Sequence, residues 1–248
     1  MPESQRGARG TARRTVPGTL STRLGPSDPL ERAHLLERIR DAVLSGTAGP
    51  GSPREVVSAS WRRSLDAHID PEGGRPQHVY SDGELRDVRG GHLLAPVLPL
   101  LRRTLLDVAD DAVHMMIVTD VRGHILWREG NRTVLRRAER FELVEGTRWS
   151  EDSVGTNAMG TALASGNAVQ IHSAEHLVKL YHSWTCAAAP IRDPDSGEVV
   201  AAIDLSGPLQ TFHPSTLALV KAAAELAEVH LAARLVERDE RLRHRNLP

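Results

Sequence analysis

The sequence predicts an α+β fold, an antiparallel sheet with packed helices, an N-terminal helical extension and a long C-terminal helix. Three observations carry that expectation. Apolar runs of period two come in pairs joined by Asp/Gly-rich turn chemistry, which reads as hairpins. The segments around them repeat apolar residues at spacings of three and four, the helical signature. Finally, the order helix, two strands, helices, strand, helix, two strands, long helix contains no βαβ series, so a parallel sheet is not expected.

Taken in order, residues 1–27 carry Arg6, Arg9, Arg13, Arg14 and Arg23 among small and turn-forming residues. Almost nothing apolar offsets the entropy of ordering, so they read as a disordered basic arm. A phosphate contact through these arginines stays open beside the favoured reading, a solvated tail. Residues 28–90 read as a helical lead-in and an irregular linker. Pro29 opens a helix through Leu44 that Ser45, Gly46 and the stretch Gly49 to Pro53 close. A second helix, Arg54 to Ala67, places Val56, Val57, Trp61 and Leu65 on one face, with Trp61 as packing anchor. Asp70 to Gly91 holds Pro71, Gly73, Gly74, Pro76 and Gly83 and is read as irregular.

The main domain spans residues 91–232, with 233–248 extending its last helix. Leu93 to Val108 is helical by period. His114 to Thr119 and His124 to Glu129 form a hairpin across Asp120-Val-Arg-Gly123, with Asp and Gly at the ends of a type I turn. A helix follows from Asn131 to Phe141. Within Trp149 to Gly166, Thr156 or Ser153 caps a short helix that stops at Gly166. Val169 and Ile171 mark a strand, and Ser173 caps a brief helix through Leu180. Trp184 to Ile191 pairs with Val199 to Leu205 across Asp193-Pro-Asp-Ser-Gly197. His213 to Leu242 then forms one helix of roughly 40 Å.

Composition narrows the function. A chain of 248 residues, 40% hydrophobic, can bury a real core, and a formal charge of −1 gives no general attraction to nucleic acid or anionic membrane. Cys186 is the only cysteine, so no internal disulfide forms and a cysteine-built zinc site is not expected. The first 25 residues lack a signal peptide's apolar stretch, and no run approaches the roughly 20 apolar residues that span a bilayer. A cytoplasmic location without membrane contact is therefore expected.

The string Trp149-Ser-Glu-Asp-Ser-Val-Gly155-Thr-Asn157-Ala-Met-Gly160-Thr161-Ala-Leu163 is followed by Glu175-His176, His182-Ser-Trp184-Thr-Cys186-Ala-Ala-Ala-Pro190-Ile191 and Ile203-Asp204-Leu205-Ser206-Gly207. Together these resemble the sensory N-terminal region of acetoin-catabolism-type transcriptional activators. Ser60-Trp61-Arg-Arg-Ser64-Leu65 with Ile69-Asp70-Pro71 resembles the same family's lead-in, so the likeness covers roughly residues 55 to 232. It implies a GAF-like sensor domain at 91–232 that receives a metabolic signal. In that family the signal passes to an output module, commonly an ATPase engaging an alternative sigma factor or a helix-turn-helix. This sequence has no G-x-x-x-x-G-K-[ST] loop, and only Arg243 to Pro248 follow Leu242. Regulation through a transcription-machinery partner or a dimer is therefore expected, with direct DNA contact by this chain left open.

The candidate ligand-binding residues are Trp127, Trp149, Thr156, Asn157, Thr161, His172, His176, His182, Trp184 and Cys186. Aromatic rings with polar edges suit the walls of a ligand site, although core packing explains each equally well. Asn157 and Thr161, four apart, share a helix face and could bond a ligand or a neighbouring loop. Gly155, Gly160 and Gly166 hint at a phosphate loop, but with no lysine beside them tight helix–sheet packing is the simpler account. His172, Glu175, His176 and His182 have metal-like composition. A strand through His172 spoils the helical geometry, so backbone-satisfied histidines are favoured and no metal or cofactor is expected. Cys186, among alanines, reads as an inert core thiol. Strand alternation sets Trp184, Cys186 and Ala188 on one face.

Leu217, Val220, Ala224, Ala227, Leu231, Leu235 and Leu242 form a seam on the last helix that either dimerises or covers the sheet. No paired carboxylates, triad order or metal motif has usable spacing, so catalysis is not expected. The leading expectation is a small-molecule effector acting on a homodimer through the C-terminal helix. The alternatives are a ligand-free interaction module or transcription adaptor and, less favoured, a metal or haem sensor through the histidine cluster.

Overall fold

The computed structural model describes residues 28–107 and 113–245. The basic arm expected at 1–27 lies outside these residues, as does the end of the helix expected to reach Val108. One antiparallel sheet has the order β2-β1-β5-β4-β3, built from β1 (Met115–Asp120), β2 (Ile125–Gly130), β3 (Val169–His172), β4 (Trp184–Arg192) and β5 (Val199–Pro208). Both hairpins form where their turn residues place them, and β5 occupies the centre of the sheet. The helices are α1 (Pro29–Ser45), α2 (Glu55–Asp66), α3 (Asp82–Gly91), α4 (Leu98–Leu105), α5 (Arg132–Glu139), α6 (Glu151–Val154), α7 (Ala158–Ser165) and α8 (Ser215–Arg245).

Because successive strand side chains point to opposite faces, the sheet carries two separate cores. Met116, Val118, Ala187, Ala189, Ile191, Ile203 and Leu205 pack against α4 and the buried seam Val220, Ala223, Ala224, Ala227 and Leu231 of α8. Met115, Ile117, Ile125, Ile171, Trp184 and Ala188 form the other core with α2, α5, α7 and the loops around Trp149 and Tyr181. Of the seam expected on α8, Val220, Ala224, Ala227 and Leu231 cover the sheet, as expected of its first half.

Local chemistry explains where the expectations fail. The connection read as irregular ends in α3, whose glycines hide a capping box: the Ser81 N–H donates to Glu84 at 2.9 Å. α7 is capped by Asn157, not Thr156 or Ser153, because Asn157 is extended and its Oδ1 accepts from the Gly160 N–H at 2.9 Å. Ser153 instead sits inside α6 and bonds the Arg148 carbonyl. The helix expected from Ser173 to Leu180 is two 3₁₀ turns, residues 173–175 and 179–181. Glu175 reaches back to the His172 N–H at 2.9 Å to cap the first turn, Ser173 holds φ 49°, and the turn stops where His176 returns to extended backbone.

Gly160 serves a different contact from the helix–sheet packing expected of it. A β-carbon there would lie 2.9 Å from both the Trp149 carbonyl oxygen and the Glu151 nitrogen, so α7 crosses the start of α6 backbone to backbone. Gly160→Ala is expected to cost about 1–3 kcal/mol, since neither backbone atom can move aside cheaply. Urea denaturation midpoints of the two proteins check this; equal midpoints would show the crossing to be loose.

Candidate functional site

The centre of the sheet carries a charge. Alternation along β5 puts Asp204 and Ser206 on the same face as Trp184, Cys186 and Ala188 of β4, with Ala188 opposite Asp204 and Cys186 opposite Ser206. Above this floor the N-terminus of α7 brings Asn157, Ala158 and Met159, and the loops before it bring Phe141, Leu143 and Trp149. His176 and Tyr181, from the two 3₁₀ turns, complete the enclosure. Its free volume is about 20 Å³, enough for one water-sized group.

Asp204 is fully buried. Ser206 Oγ donates to its Oδ2 at 2.5 Å, while Oδ1 has no partner. Desolvation pushes the carboxyl up to about 7, with the serine bond opposing the rise. Burial, and then the neighbouring Asp204 charge, push the Cys186 thiol well up, which leaves it unreactive as its alanine neighbours suggest. The Tyr181 hydroxyl is also buried without a partner, and burial raises its pKa. His176 Nδ1 lies 2.9 Å from the Ser173 carbonyl, which only accepts, so Nδ1 carries the proton and Nε2 is the acceptor. Burial lowers His176 to about 3, so the ring is neutral.

Of the sequence-based candidates, Trp149, Asn157, His176, Trp184 and Cys186 line this pocket. Trp127 does not. On β2 it pairs with Val118 and packs on the α8 face, edge-on to His92 with ring centres 5.5 Å apart. Thr156 and Thr161 turn away toward α2: Thr161 Oγ1 donates to Glu151 Oε1 at 2.8 Å, and Thr156 Oγ1 lies 2.7 Å from Ser60 Oγ. His172 packs against Phe212, with ring centres 4.4 Å apart and planes tilted by 52°, and its Nε2 lies 3.3 Å from the Pro29 carbonyl. His182 donates from Nε2 to the His176 carbonyl at 3.2 Å. The histidines therefore reach different neighbours and do not converge, because the helix that would align them is absent.

Sequence reasoning assigned no role to Asp204 or Ser206, nor to Phe141, Leu143, Ala158, Met159 or Tyr181 in the walls. A signal for Asp204 existed: it is the one charged residue in Val199–Pro208, and alternation places it beside Cys186. A roomier concavity, about 790 Å³, lies between α2, the β1–β2 turn and α6 but is open to solvent. Its charges are largely paired, Arg63 with Glu151 and Arg148 with Asp152, so the smaller enclosed pocket is the stronger candidate.

An antiparallel sheet with both faces covered and a closed pocket over its central strand defines a GAF-like sensory domain. Residues 34–228 match the family described as MimR, N-terminal domain, and the chain belongs to that family. It is 34% identical to the acetoin dehydrogenase operon transcriptional activator AcoR of Bacillus subtilis, over 79% of this chain and 33% of that protein. Identity to the propane 2-monooxygenase operon transcriptional activator MimR of Mycolicibacterium smegmatis is 32%, with the same coverage of 79% and 33%. The chain thus spans about a third of the length of these activators, and it corresponds to their regulatory sensory region. The fold is shared with the Escherichia coli DhaR(N)–DhaL complex at a TM-score of 0.69 and 22% identity, covering 78% of this chain and 67% of that one. No helix among the described residues is long and apolar enough to cross a membrane.

The raised carboxyl makes stability depend on pH with a definite sign. The folded value, about 7, lies above the unperturbed 3.8. The stability Asp204 contributes is thus fully present below about pH 4 and lost as pH rises through about 7. His172, His176 and His182, lowered to about 4, 3 and 4 from 6.5, act the other way. Their contribution is present above about pH 6.5 and lost as pH falls toward about 4. Comparing Asp204→Asn with the parent at each pH cancels the histidines. The variant is expected to gain in relative stability between about pH 5 and pH 8, by an amount on the order of 2–3 kcal/mol. Thermal melts measure it, and a pH-independent difference would mean the carboxyl is not desolvated.

Proposed function

We propose that this chain is the ligand-receiving part of a cytoplasmic transcriptional regulator, and that a small molecule entering the pocket over β5 is its signal. The observation that carries this reading is Asp204 Oδ1, an unpaired oxygen fully buried in an otherwise apolar, aromatic-walled pocket. A buried polar atom without a partner is costly, and natural structures keep such atoms at working sites. With about 20 Å³ free, any guest larger than one water-sized group enters only if the walls part. Met159 is the wall suited to yielding, being unbranched and flexible. Occupancy and conformation are then linked, and a ligand that prefers the opened state shifts the equilibrium toward it.

The output surface is a second stripe on α8. Ala222, Leu226, Val229, Ala233 and Val236 are all exposed and follow one another at spacings of four and three, the repeat of a coiled-coil seam. With the inner seam occupied by the sheet, this outer stripe is the surface on which a second copy packs. Val229→Glu is expected to shift a dimer toward monomer in sedimentation velocity without lowering the melting temperature of the sensor core. An unchanged sedimentation coefficient would remove the dimer from the scheme.

A second reading, a docking site for a protein partner, is favoured by the open cleft near Arg122, Arg148 and exposed Val121. The relative DhaR(N) was solved in complex with DhaL. Thermal-shift screening with small alcohols, diols, ketones, acids and amines separates the two. Occupancy at about a hundredfold over Kd is expected to add about 2.7 kcal/mol of stability. A flat response to every compound would leave the docking role alone.

A further inference from the structure

We propose that the pocket over β5 takes a small aliphatic ammonium ion, held by Asp204 and Tyr181 within a wall of aromatic rings. This rests on the pocket being a ligand site and goes one step further, to the charge and donor count of the guest.

Most polar atoms that line the pocket already have partners. Asn157 is fully occupied: its Oδ1 accepts from Gly160, and its Nδ2 donates to the Trp149 and Gly155 carbonyls. The Ser206 hydroxyl is committed to Asp204 Oδ2, and Trp149 Nε1 to Thr147. The His176 Nδ1 proton is committed to Ser173. Left uncommitted are two acceptors, Asp204 Oδ1 and the deprotonated His176 Nε2, and the Tyr181 hydroxyl, which can accept or donate. No lysine or arginine lines the pocket. Arg137 lies over the Trp184 ring at 5.5 Å but is not a lining residue.

Each class of guest can be weighed against that inventory. A carboxylate or phosphate would bring a second negative charge beside Asp204 with no cation to meet it. An alcohol supplies a single donor and leaves the carboxylate charge unbalanced. An alkylammonium supplies three donors and one positive charge, and a hydrogen bond between charged partners is about twice as strong as a neutral one. Phe141, Trp149 and Tyr181 line the pocket with aromatic rings of the kind that attract a cation, while the Trp184 ring already carries Arg137. Size agrees as well, because the ammonium head is close to one water-sized group, the room that about 20 Å³ provides. The apolar tail then displaces Leu143 or Met159.

The test compares three probes of equal length on the full chain: n-propylammonium chloride, n-propanol and sodium propionate, at matched ionic strength, by calorimetric titration and thermal shift. Propylammonium is expected to bind tightest and propionate not at all. Asp204→Asn is expected to weaken propylammonium by about tenfold or more and to leave propanol nearly unchanged. Tyr181→Phe is expected to weaken propylammonium to a smaller degree. Should propanol or propionate bind as well as the amine, or the amine bind Asp204→Asn undiminished, the ammonium assignment fails while the receptor reading stands. If the wider compound screen is also silent, both fail together. The wild-type comparison of the three probes decides the matter even if a variant does not fold.

Discussion

The pocket is closed by loops with little regular structure of their own, and three guanidinium groups from the lead-in hold those loops in place. Arg40 of α1 is buried, donating from Nε to the Leu177 carbonyl at 2.9 Å and from Nη2 to that of Pro71 at 3.0 Å. Arg54, at the start of α2, grips both oxygens of Glu175 at 2.7 and 2.8 Å. Arg63 does the same to Glu151. The two arginines are over two-fifths exposed but both carboxylates are buried, so the pairs' net gain is modest, whereas losing an arginine strands a buried charge. Such contacts fix one arrangement more than they add stability. Trp61 completes the clamp, donating from Nε1 to the Glu175 carbonyl at 2.8 Å. Glu175 immediately precedes His176, and Glu151 follows Trp149 by two residues, so α1 and α2 hold the walls themselves.

How much of this was legible in the sequence follows from how local each signal is. The hairpins were legible because Asp120-Val-Arg-Gly123 and Asp193-Pro-Asp-Ser-Gly197 carry their turn chemistry within a few residues. The Trp184, Cys186 and Ala188 face was legible for the same reason, since period two needs no tertiary knowledge. Trp127 failed because a ligand-facing side can be assigned to β2 only once its register with β1 is known, and that register shifts at Val118/Thr119. Thr161 failed because Asn157 is the cap of α7 and not its first turn, so the pair four apart does not share a face of one helix. The histidine cluster failed because a single residue, Ser173 at positive φ, turns a helix into a 3₁₀ turn.

Asp204 shows the opposite kind of failure, a residue legible as an anomaly but assigned no chemistry. Every local rule for a central strand argues against a carboxylate there, and the structure satisfies only one of its two oxygens. Its neighbours Ile203 and Leu205 obey the rules and pack toward α8. The strand is therefore consistent with a stable core on one face and inconsistent with it on the other. Sites that do work are where such conflicts between local preference and the fold are kept. A partner supplied from outside, as the proposed function requires, would resolve this one.

The same strands make the sheet a short path between the pocket and α8. On β4, Trp184 and Cys186 line the pocket while Ala187, Ala189 and Ile191 face the α8 seam, so residues adjacent in sequence touch the two sides. The α8 side is rich in small residues, Ala187 and Ala189 on β4 and Ala223, Ala224 and Ala227 on α8. Close packing at such small side chains leaves no soft volume in which a displacement can be absorbed. A guest pressing on Trp184 or Cys186 would move β4 as a unit or part the loops clamped by Arg54 and Arg63. The first route would shift α8 and the second would loosen α2, so under the proposed function either response would link the occupancy of one small cavity to a helix packed on the domain.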